Sequence, residues 1–282
     1  MSLDPGTIAA ARRVTDIMAY DKLKLSTDDG VAVVTLSDPA TMNAAGVEMA
    51  GQLLDALKHA AANPEVRAIV LTGEGRGFCS GANLQQGPGG RILDVDGKPD
   101  AGAALETVYN PLVTYMREMT VPLVTAVNGP AAGVGCSLAL LGDIVVAAES
   151  AYFLQAFRRI GLIPDGGSTY MLPRLIGKAR AMEMALLGER VPAATALEWG
   201  LINRCVGDSE LMPTALAIAN QLAKGPASLG VTRQTIWSSF DSGWAEQLHR
   251  ERVGQRTAGK TDDFVEGVAA FLEKRPARFS GK

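Results

Sequence analysis

Two segments rich in small residues each follow a predicted buried strand, and both could hold a negatively charged oxygen. The first covers residues 77–84, Gly-Phe-Cys-Ser-Gly-Ala-Asn-Leu, and the second covers 128–138, Asn-Gly-Pro-Ala-Ala-Gly-Val-Gly-Cys-Ser-Leu. Turns of small residues and helix N-termini leave backbone N–H groups without partners. Side by side, the two segments could direct two N–H donors at one oxygen, as in an oxyanion hole. The alternative is that the glycines only allow tight turns.

The second segment does not match a dinucleotide-binding motif. Gly133-Val134-Gly135 lacks a third glycine and a downstream acidic residue at the required spacing. The segment therefore does not predict binding of NAD or FAD.

The hydrophobic pattern supplies strands and helices that could position the two segments. Apolar runs bounded by turn residues predict four strands, at 31–36, 68–72, 122–127 and 143–148. Helical spacing predicts helices between them, at 46–59, 105–119 and 135–141. Because the strands are nearly all apolar, we expect an α/β fold with a sheet covered on both faces.

The pattern changes near residue 177, where helices begin to follow one another. They are predicted at 178–187, 193–199, 209–223, 228–239, 243–257 and 262–273. We therefore divide the chain into an N-terminal extension (1–21), an α/β core (22–176) and a helical C-terminal region (177–282). Residues 85–104 are rich in Gly, Pro and Asp, which predicts a loop or a mobile flap.

Composition and charge argue against several classes of function. The 282 residues are 47% hydrophobic, enough for a sizeable core, and 27 basic against 30 acidic side chains give a net charge of −3. We therefore expect no nucleic-acid partner. Residues 119–142 carry no charge and are long enough to span a bilayer, but glycines and prolines interrupt them. A buried strand, a turn and a buried helix explain this stretch better, so no membrane partner is expected.

The cysteines and histidines predict neither disulfides nor a metal site. Cys79, Cys136 and Cys205 are far apart, which fits a reduced, cytoplasmic compartment better than a disulfide framework. Two histidines and no CxxC pair argue against bound metal. Cys79 and Cys136 flank the small-residue segments, but neither has a histidine beside it in sequence, which disfavours a nucleophile.

Four motifs in order resemble those of the crotonase superfamily, the enoyl-CoA hydratase/isomerase family. They lie at 75–84, at 128–144 (ending in Asp143-Ile144), at 161–174 (Gly-Leu-Ile-Pro-Asp-Gly-Gly-Ser-Thr, then Leu-Pro-Arg) and at 263–276. The resemblance covers roughly residues 22–282. It implies a spiral of β-β-α units with a helical C-terminal region that assembles into homotrimers or hexamers.

The resemblance also implies the roles of particular residues. The backbone N–H groups of Ser80 and Val134 would hold the thioester oxygen of an acyl-CoA substrate, and no separate cofactor is implied. The residues implied to contact the substrate are Gly81, Ala82, Gly133, Gly135, Phe157, Phe264 and Lys274. For the last two, apolar packing and a solvated lysine are nearly as good an explanation.

The chain departs from the family's hydratases at both of their catalytic glutamates. Ser137 stands at the first position and Phe157 at the second. Adding water to a 2-enoyl-CoA requires a water molecule to be positioned and deprotonated, and neither side chain can do this alone. The departure therefore argues against hydration.

One carboxylate remains at a position where double-bond isomerases of the family often carry an acid. Asp165 follows Pro164 directly. Its alternative role is to cap the helix that starts near Ser168 or to bond its own turn. Because both glutamates are missing, we favour Asp165 as the catalytic acid/base.

The sequence thus predicts an enoyl-CoA isomerase that moves a 3-enoyl-CoA double bond to C2 through a dienolate. Three alternatives stay open. They are a hydratase that uses Asp165 and a bound water, a thioester hydrolase, and a CoA-binding family member without catalysis.

Overall fold

The computed structural model describes residues 20–83 and 92–282. Most of the predicted N-terminal extension and the start of the predicted flap (84–91) lie outside the described residues. The strands are β1 (Leu23–Asp28), β2 (Val31–Leu36), β3 (Ala68–Gly73), β4 (Leu123–Val127), β5 (Ala131–Ala132), β6 (Ile144–Ala148), β7 (Tyr152–Leu154), β8 (Val191–Pro192) and β9 (Arg204–Val206).

The helices surround two sheets built from these strands. They are α1 (Val47–Ala62), α2 (Asn110–Glu118), α3 (Val134–Leu140), α4 (Ser168–Leu187), α5 (Ala193–Glu198), α6 (Leu211–Ala223), α7 (Ser228–Ser239), α8 (Trp244–Ala258) and α9 (Asp262–Glu273). A π-helical turn, Leu105–Tyr109, leads directly into α2.

The larger sheet has the strand order β1-β2-β3-β4-β6-β9. β1 and β2 form an antiparallel hairpin, and every other neighbouring pair is parallel. Parallel neighbours need crossover connections, which contain α1 between β2 and β3, α2 between β3 and β4, α3 between β4 and β6, and α4 and α5 between β6 and β9. β3 and β4 are buried along their length, with α6 packed against both, as their continuous apolar sequence predicts.

The smaller sheet has the order β5-β7-β8 and lies where the second small-residue segment leaves β4. β5 pairs in parallel with β7, and an isolated parallel bridge joins Ala131 of β5 to Cys79. This bridge ties the first small-residue segment to the second. Within the described residues, no helix is both long and apolar enough to cross a membrane, and the uncharged stretch 119–142 contains β4, β5 and α3.

Several features of the C-terminal part differ from the prediction. The helix predicted at 178–187 begins earlier, at Ser168, and breaks at Gly177, whose φ of 75° and ψ of 162° are not helical. β9 is also part of this region and forms an edge of the larger sheet. An ion pair between Arg233 of α7 and Asp143 (2.6 Å), both largely buried, fastens the later helices to the core. The division at residue 177 stays a prediction.

Candidate active site

Hydrogen bonds hold the two small-residue segments together. The Cys79 N–H donates to the Pro130 carbonyl (3.0 Å), and the Ala132 N–H donates to the Cys79 carbonyl (2.9 Å). One step further on, Gly81 and Gly133 face each other, and a Cβ on Gly133 would lie 3.8 Å from the Gly81 Cα. Gly81 (φ +104°) and Gly133 (φ +54°) both have backbone conformations that favour glycine. The side-by-side arrangement that an oxyanion hole requires is therefore present.

The Ser80 N–H is already engaged, contrary to the prediction. It donates to the Met42 carbonyl (3.0 Å), and the Ser80 hydroxyl donates to the Thr41 carbonyl (2.7 Å). A donor in a short backbone bond is not free for a ligand oxygen. Ala82, two residues on, is exposed, and its N–H has no hydrogen-bond partner within the described residues. The free donor of the first segment is thus at Ala82.

Val134 occupies the first position of α3, where a backbone N–H has no partner within the helix. The N–H of Gly133, just before it, donates to the Leu154 carbonyl of β7 (2.9 Å). Gly135 allows α3 to approach the first segment, because a Cβ there would lie 2.4 Å from the Cys79 carbonyl oxygen. These contacts direct the N-terminal end of a fully buried helix toward the Gly81–Ala82 turn.

Phe157 lies beside this turn. Its side chain is buried, in a 3₁₀ turn over Ala156–Ile160, and its ring edge would lie 3.8 Å from a Cβ on Gly133. A buried aromatic ring at this position gives the site an apolar wall. With phenylalanine at position 157, this residue supplies no carboxylate that could handle a water molecule.

Asp165 lies on a loop that packs against the first turns of α3. A Cβ on its neighbour Gly166 (φ +59°) would lie 2.9 Å from the Ser137 Cβ and 3.3 Å from a Val134 methyl carbon. The Ser137 hydroxyl donates to the Asp165 carbonyl (2.9 Å), and the Ser168 hydroxyl donates to the same oxygen (2.8 Å). Ser137, one of the departures from the hydratase motif, thus fixes the backbone that carries Asp165.

The Asp165 carboxyl has the properties of a general base. Its Oδ1 is buried and has no hydrogen-bond partner within residues 20–83 and 92–282, and burial raises the pKa of the carboxyl from 3.8 to about 6. The side chain does not cap α4, which begins after Gly167 with no side-chain cap. The capping alternative is therefore wrong, and the carboxylate is left available for a ligand.

The two cysteines of the site are protonated thiols. Both are buried, and burial raises the pKa of Cys79 to about 11 and that of Cys136 to about 12. A thiol that resists ionisation is a poor nucleophile at neutral pH. Covalent catalysis by either cysteine is therefore disfavoured.

Phe264 and Lys274 lie on α9, in the helical region. Phe264 is 54% exposed and lines a groove of about 860 Å³ between α7, α8 and α9. Lys274 ends α9 in the left-handed conformation. Their predicted contact with CoA stays a prediction. Within residues 20–83 and 92–282, no cluster of His, Cys, Asp and Glu could hold a metal ion.

The residue pattern did not predict that residues 42–45 bond to the first small-residue segment. Residues Met42 and Ala45 bond to Ser80 and Gly81, respectively, through backbone atoms alone. Backbone contacts between segments distant in sequence leave no residue pattern that could have revealed them.

Comparison with known proteins identifies the class to which this fold and site belong. A profile of the family described as Enoyl-CoA hydratase/isomerase matches residues 26–282. The chain belongs to this family, the crotonases, and is an enzyme of it.

Individual relatives carry names of different reactions, and a solved structure shares the fold. The chain is 46% identical to 1,2-epoxyphenylacetyl-CoA isomerase of Escherichia coli, over 90% of this chain and 97% of that protein. It is 43% identical to the Rhodobacter capsulatus protein named "Probable enoyl-CoA hydratase", over 94% of this chain and 100% of that protein. A crystal structure of an enoyl-CoA hydratase from Polaromonas is 33% identical and superimposes with a TM-score of 0.83, over 91% of this chain and 99% of that chain. The architecture is thus the α/β crotonase fold with C-terminal helices.

Proposed function

We propose that this enzyme isomerises a 3-enoyl-CoA to the conjugated 2-enoyl-CoA, with Asp165 as its single acid/base. The observation that carries the proposal is the Asp165 carboxyl, which is partly buried, has one oxygen without a partner among the described residues and has a pKa raised to about 6. A base with a pKa near neutrality can both accept and return a proton.

The proposed oxyanion hole consists of the N–H groups of Ala82 and Val134. We assign the first donor to Ala82 rather than to the predicted Ser80, because the Ser80 N–H already donates to the Met42 carbonyl. Removing a C2 proton places negative charge on the thioester oxygen, and two N–H donors directed at that oxygen stabilise it. One such donor is typically worth about 10²–10³-fold in rate.

The reaction needs only one carboxylate. Asp165 takes a proton from C2, which gives a dienolate with C1–C2 and C3–C4 double bonds and the negative charge on the thioester oxygen. The same proton returns at C4, and the C2–C3 double bond forms as the thioester carbonyl is restored. No water enters and none leaves. The chemistry therefore matches a site with an apolar wall at Phe157 and serine at position 137.

A second isomerisation is favoured by the 46% identity to the E. coli 1,2-epoxyphenylacetyl-CoA isomerase. An epoxide isomerisation also conserves all atoms, and one acid/base that donates a proton and takes one back balances it. Hydration by Asp165 and a bound water is the remaining alternative, since other relatives are named as hydratases.

Assays with four thioesters distinguish these candidate reactions. The enzyme would be incubated with a 3-enoyl-CoA, a 2-enoyl-CoA, 1,2-epoxyphenylacetyl-CoA and a saturated acyl-CoA, and products would be followed by mass spectrometry and absorbance. We expect conversion of the 3-enoyl-CoA without a mass change. Hydration of the 2-enoyl-CoA with no isomerisation of either candidate substrate would refute the proposal. Hydrolysis of the saturated thioester would indicate a thioester hydrolase.

The variant Asp165→Asn tests the role of the carboxylate. It keeps the shape and removes the base, so we expect kcat for isomerisation to fall by about 10²–10⁴-fold with little change in acyl-CoA affinity. Asp29→Asn makes the same change at an exposed turn and is the matched control. Near-wild-type turnover in Asp165→Asn would remove Asp165 from the mechanism.

We also propose that the enzyme works as a homotrimer or hexamer in the cytoplasm. The support for assembly is the exposed apolar surface of α7–α9, with Trp244 at 79% and Phe271 at 82% exposure. The support for a reduced compartment is that all three cysteines are free.

A further inference from the structure

The first half of the proposed oxyanion hole depends on a loop packed behind it, residues Thr41 to Ala45. Carbonyls of Thr41 and Met42 accept the hydroxyl and the N–H of Ser80, and the Ala45 N–H donates to the Gly81 carbonyl (2.7 Å). These bonds join the loop to the Ser80 N–H, the Ser80 hydroxyl and the Gly81 carbonyl of the first small-residue segment. The loop therefore sets the conformation of the Gly81–Ala82 turn.

The bond from Ala45 has the most direct effect on the free donor. The Gly81 carbonyl and the Ala82 N–H belong to one peptide group, which is planar and trans, so they point in opposite directions. A hydrogen bond that fixes the Gly81 carbonyl therefore also fixes the direction of the Ala82 N–H, on the opposite side of the peptide group. The Ala45 N–H can do this only while Ala45 itself is held in place.

Tyr109 holds Ala45. Its hydroxyl donates to the Ala45 carbonyl (2.6 Å), and its side chain is buried. Tyr109 ends the π-helical turn before α2, a rare geometry that is common at functional sites. Burial and the nearby charge of Asp165 raise the pKa of Tyr109 to about 12, so the phenol stays protonated and lies within electrostatic reach of the proposed base.

We propose that Tyr109 is a positioning residue for catalysis: through Ala45 it fixes the Gly81–Ala82 peptide group so that the Ala82 N–H points at the thioester oxygen. The inference rests on the proposed function, since it assumes that Ala82 is an oxyanion donor. Tyr109 touches neither substrate nor reacting atoms in this scheme. Its effect is on how well one donor is aligned.

Tyr109→Phe removes one hydroxyl and keeps the ring. The loosened Ala82 donor should be weakened but not lost, so we expect kcat to fall by roughly tenfold, less than for removal of a donor. The affinity for free CoA should stay within about twofold, since free CoA has no thioester oxygen for Ala82 to contact, and KM should change less than kcat. Tyr115→Phe, on α2 where the ring contacts the Lys58 ammonium, is the matched control.

Carbonyl polarisation provides a readout that a loss of stability would not move. A saturated acyl-CoA labelled with ¹³C at the thioester carbonyl would be bound to each variant, and its C=O stretch measured by isotope-edited infrared spectroscopy. We expect a shift to lower frequency in wild type and Tyr115→Phe, and a clearly smaller shift in Tyr109→Phe. Thermal melting would verify that each variant is folded.

The outcomes separate this inference from the proposed function. A full shift in Tyr109→Phe beside a full shift in wild type would overturn the role of Tyr109 alone. No shift in wild type would overturn the oxyanion hole and this inference with it. As a second variant, 3-fluorotyrosine at position 109 keeps the donor, and we expect it to retain the wild-type shift and kcat. Loss of the shift in that variant would also overturn the role of Tyr109.

Discussion

Asp165 shows how the environment of one side chain can suit it to proton transfer. Nothing in the described part of the chain bonds to its Oδ1, whereas its backbone carbonyl accepts bonds from Ser137 and Ser168. The backbone is thus fixed while the carboxylate stays free. An unpartnered, desolvated carboxylate favours its protonated form, which raises its pKa and makes the ionised group a stronger base.

The raised pKa predicts a pH dependence. The base must be ionised to take the C2 proton, so kcat/KM for isomerisation should rise with pH through about 6 and level off above it. Below that value the carboxyl is protonated and activity should fall about tenfold per pH unit. Initial rates between pH 4.5 and 8 would check this. A kcat/KM that stays level down to pH 4.5 would mean that the pKa of Asp165 remains near the ordinary value of 3.8 and that the carboxyl is not desolvated in the working enzyme.

The residues of the site were predictable from sequence to different degrees. Asp165 and Val134 were predicted because each stands at a recognisable position in a motif, and their roles stay predictions. Ser80 was wrong as the free donor because its N–H bonds to Met42, a contact between segments about forty residues apart. Tyr109 could not have been found, since a tyrosine at the end of a predicted helix carries no sign of its partner.

The elements of the site are held together by close backbone contacts at glycines. Gly135 lets α3 touch Cys79, and Gly166 lets the Asp165 loop touch Ser137 and Val134. Neither position has room for a Cβ without movement of the neighbouring element. The relative position of the Val134 N–H and the Asp165 carboxylate therefore depends on having glycine, with no side chain, at positions 135 and 166.

Gly166→Ala tests this dependence, and Gly167→Ala is its matched control. Both positions have positive φ (59° and 82°), so both substitutions strain the backbone by a similar amount, roughly 1 kcal/mol. Only at Gly166 would the new Cβ meet a neighbour, 2.9 Å from the Ser137 Cβ. We expect similar losses of thermal stability from the backbone strain, with an added loss for Gly166→Ala. Its kcat should also fall at least about tenfold further, because displacing a base by 1 Å is costly. Equal kcat values in the two variants would contradict the argument.

Prediction at the scale of elements succeeded where the pattern was long. The predicted strands at 31–36 and 68–72 correspond to β2 and β3, and the helix predicted at 262–273 corresponds to α9. β5, β8 and β9 have two or three residues each, too few for any periodicity to show. Helical spacing predicts only the second half of α4, at 178–187, and a start near Ser168 enters only with the capping alternative for Asp165. Pro173 lies inside the first half, and a proline normally argues against a helix interior.

Exposed apolar side chains are concentrated on one part of the molecular surface. Ten large apolar side chains between Ile236 and Leu272 are more than a third exposed, and they lie on or beside α7, α8 and α9. Two tryptophans of the helical region do not contribute to this surface, since Trp237 is buried in the chain's own fold and Trp199 is half-buried against Arg180. Trp244, Phe264 and Phe271 are among the aromatic side chains that stay exposed. Sequence can identify an apolar residue in a helix but not which neighbour covers it.

This surface predicts that the chain associates through α7–α9. Apolar area removed from water contributes about 25 cal/mol per Å², so covering side chains such as Phe271 and Trp244 would stabilise an assembly by several kcal/mol. Phe271→Lys places a charge where Phe271 is 82% exposed in the single chain. Lysine suits the C-terminal end of α9, so the helix itself should be kept.

Sedimentation at micromolar concentration would measure the effect. We expect the wild-type enzyme to have three or six times the chain mass of 29.5 kDa, and Phe271→Lys to shift toward the single chain. Val95→Lys also introduces a lysine in place of an exposed apolar side chain, outside the helical region, and should leave the mass unchanged. A wild-type enzyme that sediments as a single chain and is fully active would refute assembly. If Phe264 and Lys274 reach the CoA of a neighbouring subunit, dissociation by Phe271→Lys should also raise KM for acyl-CoA while Asp165 and its pH profile stay as they are.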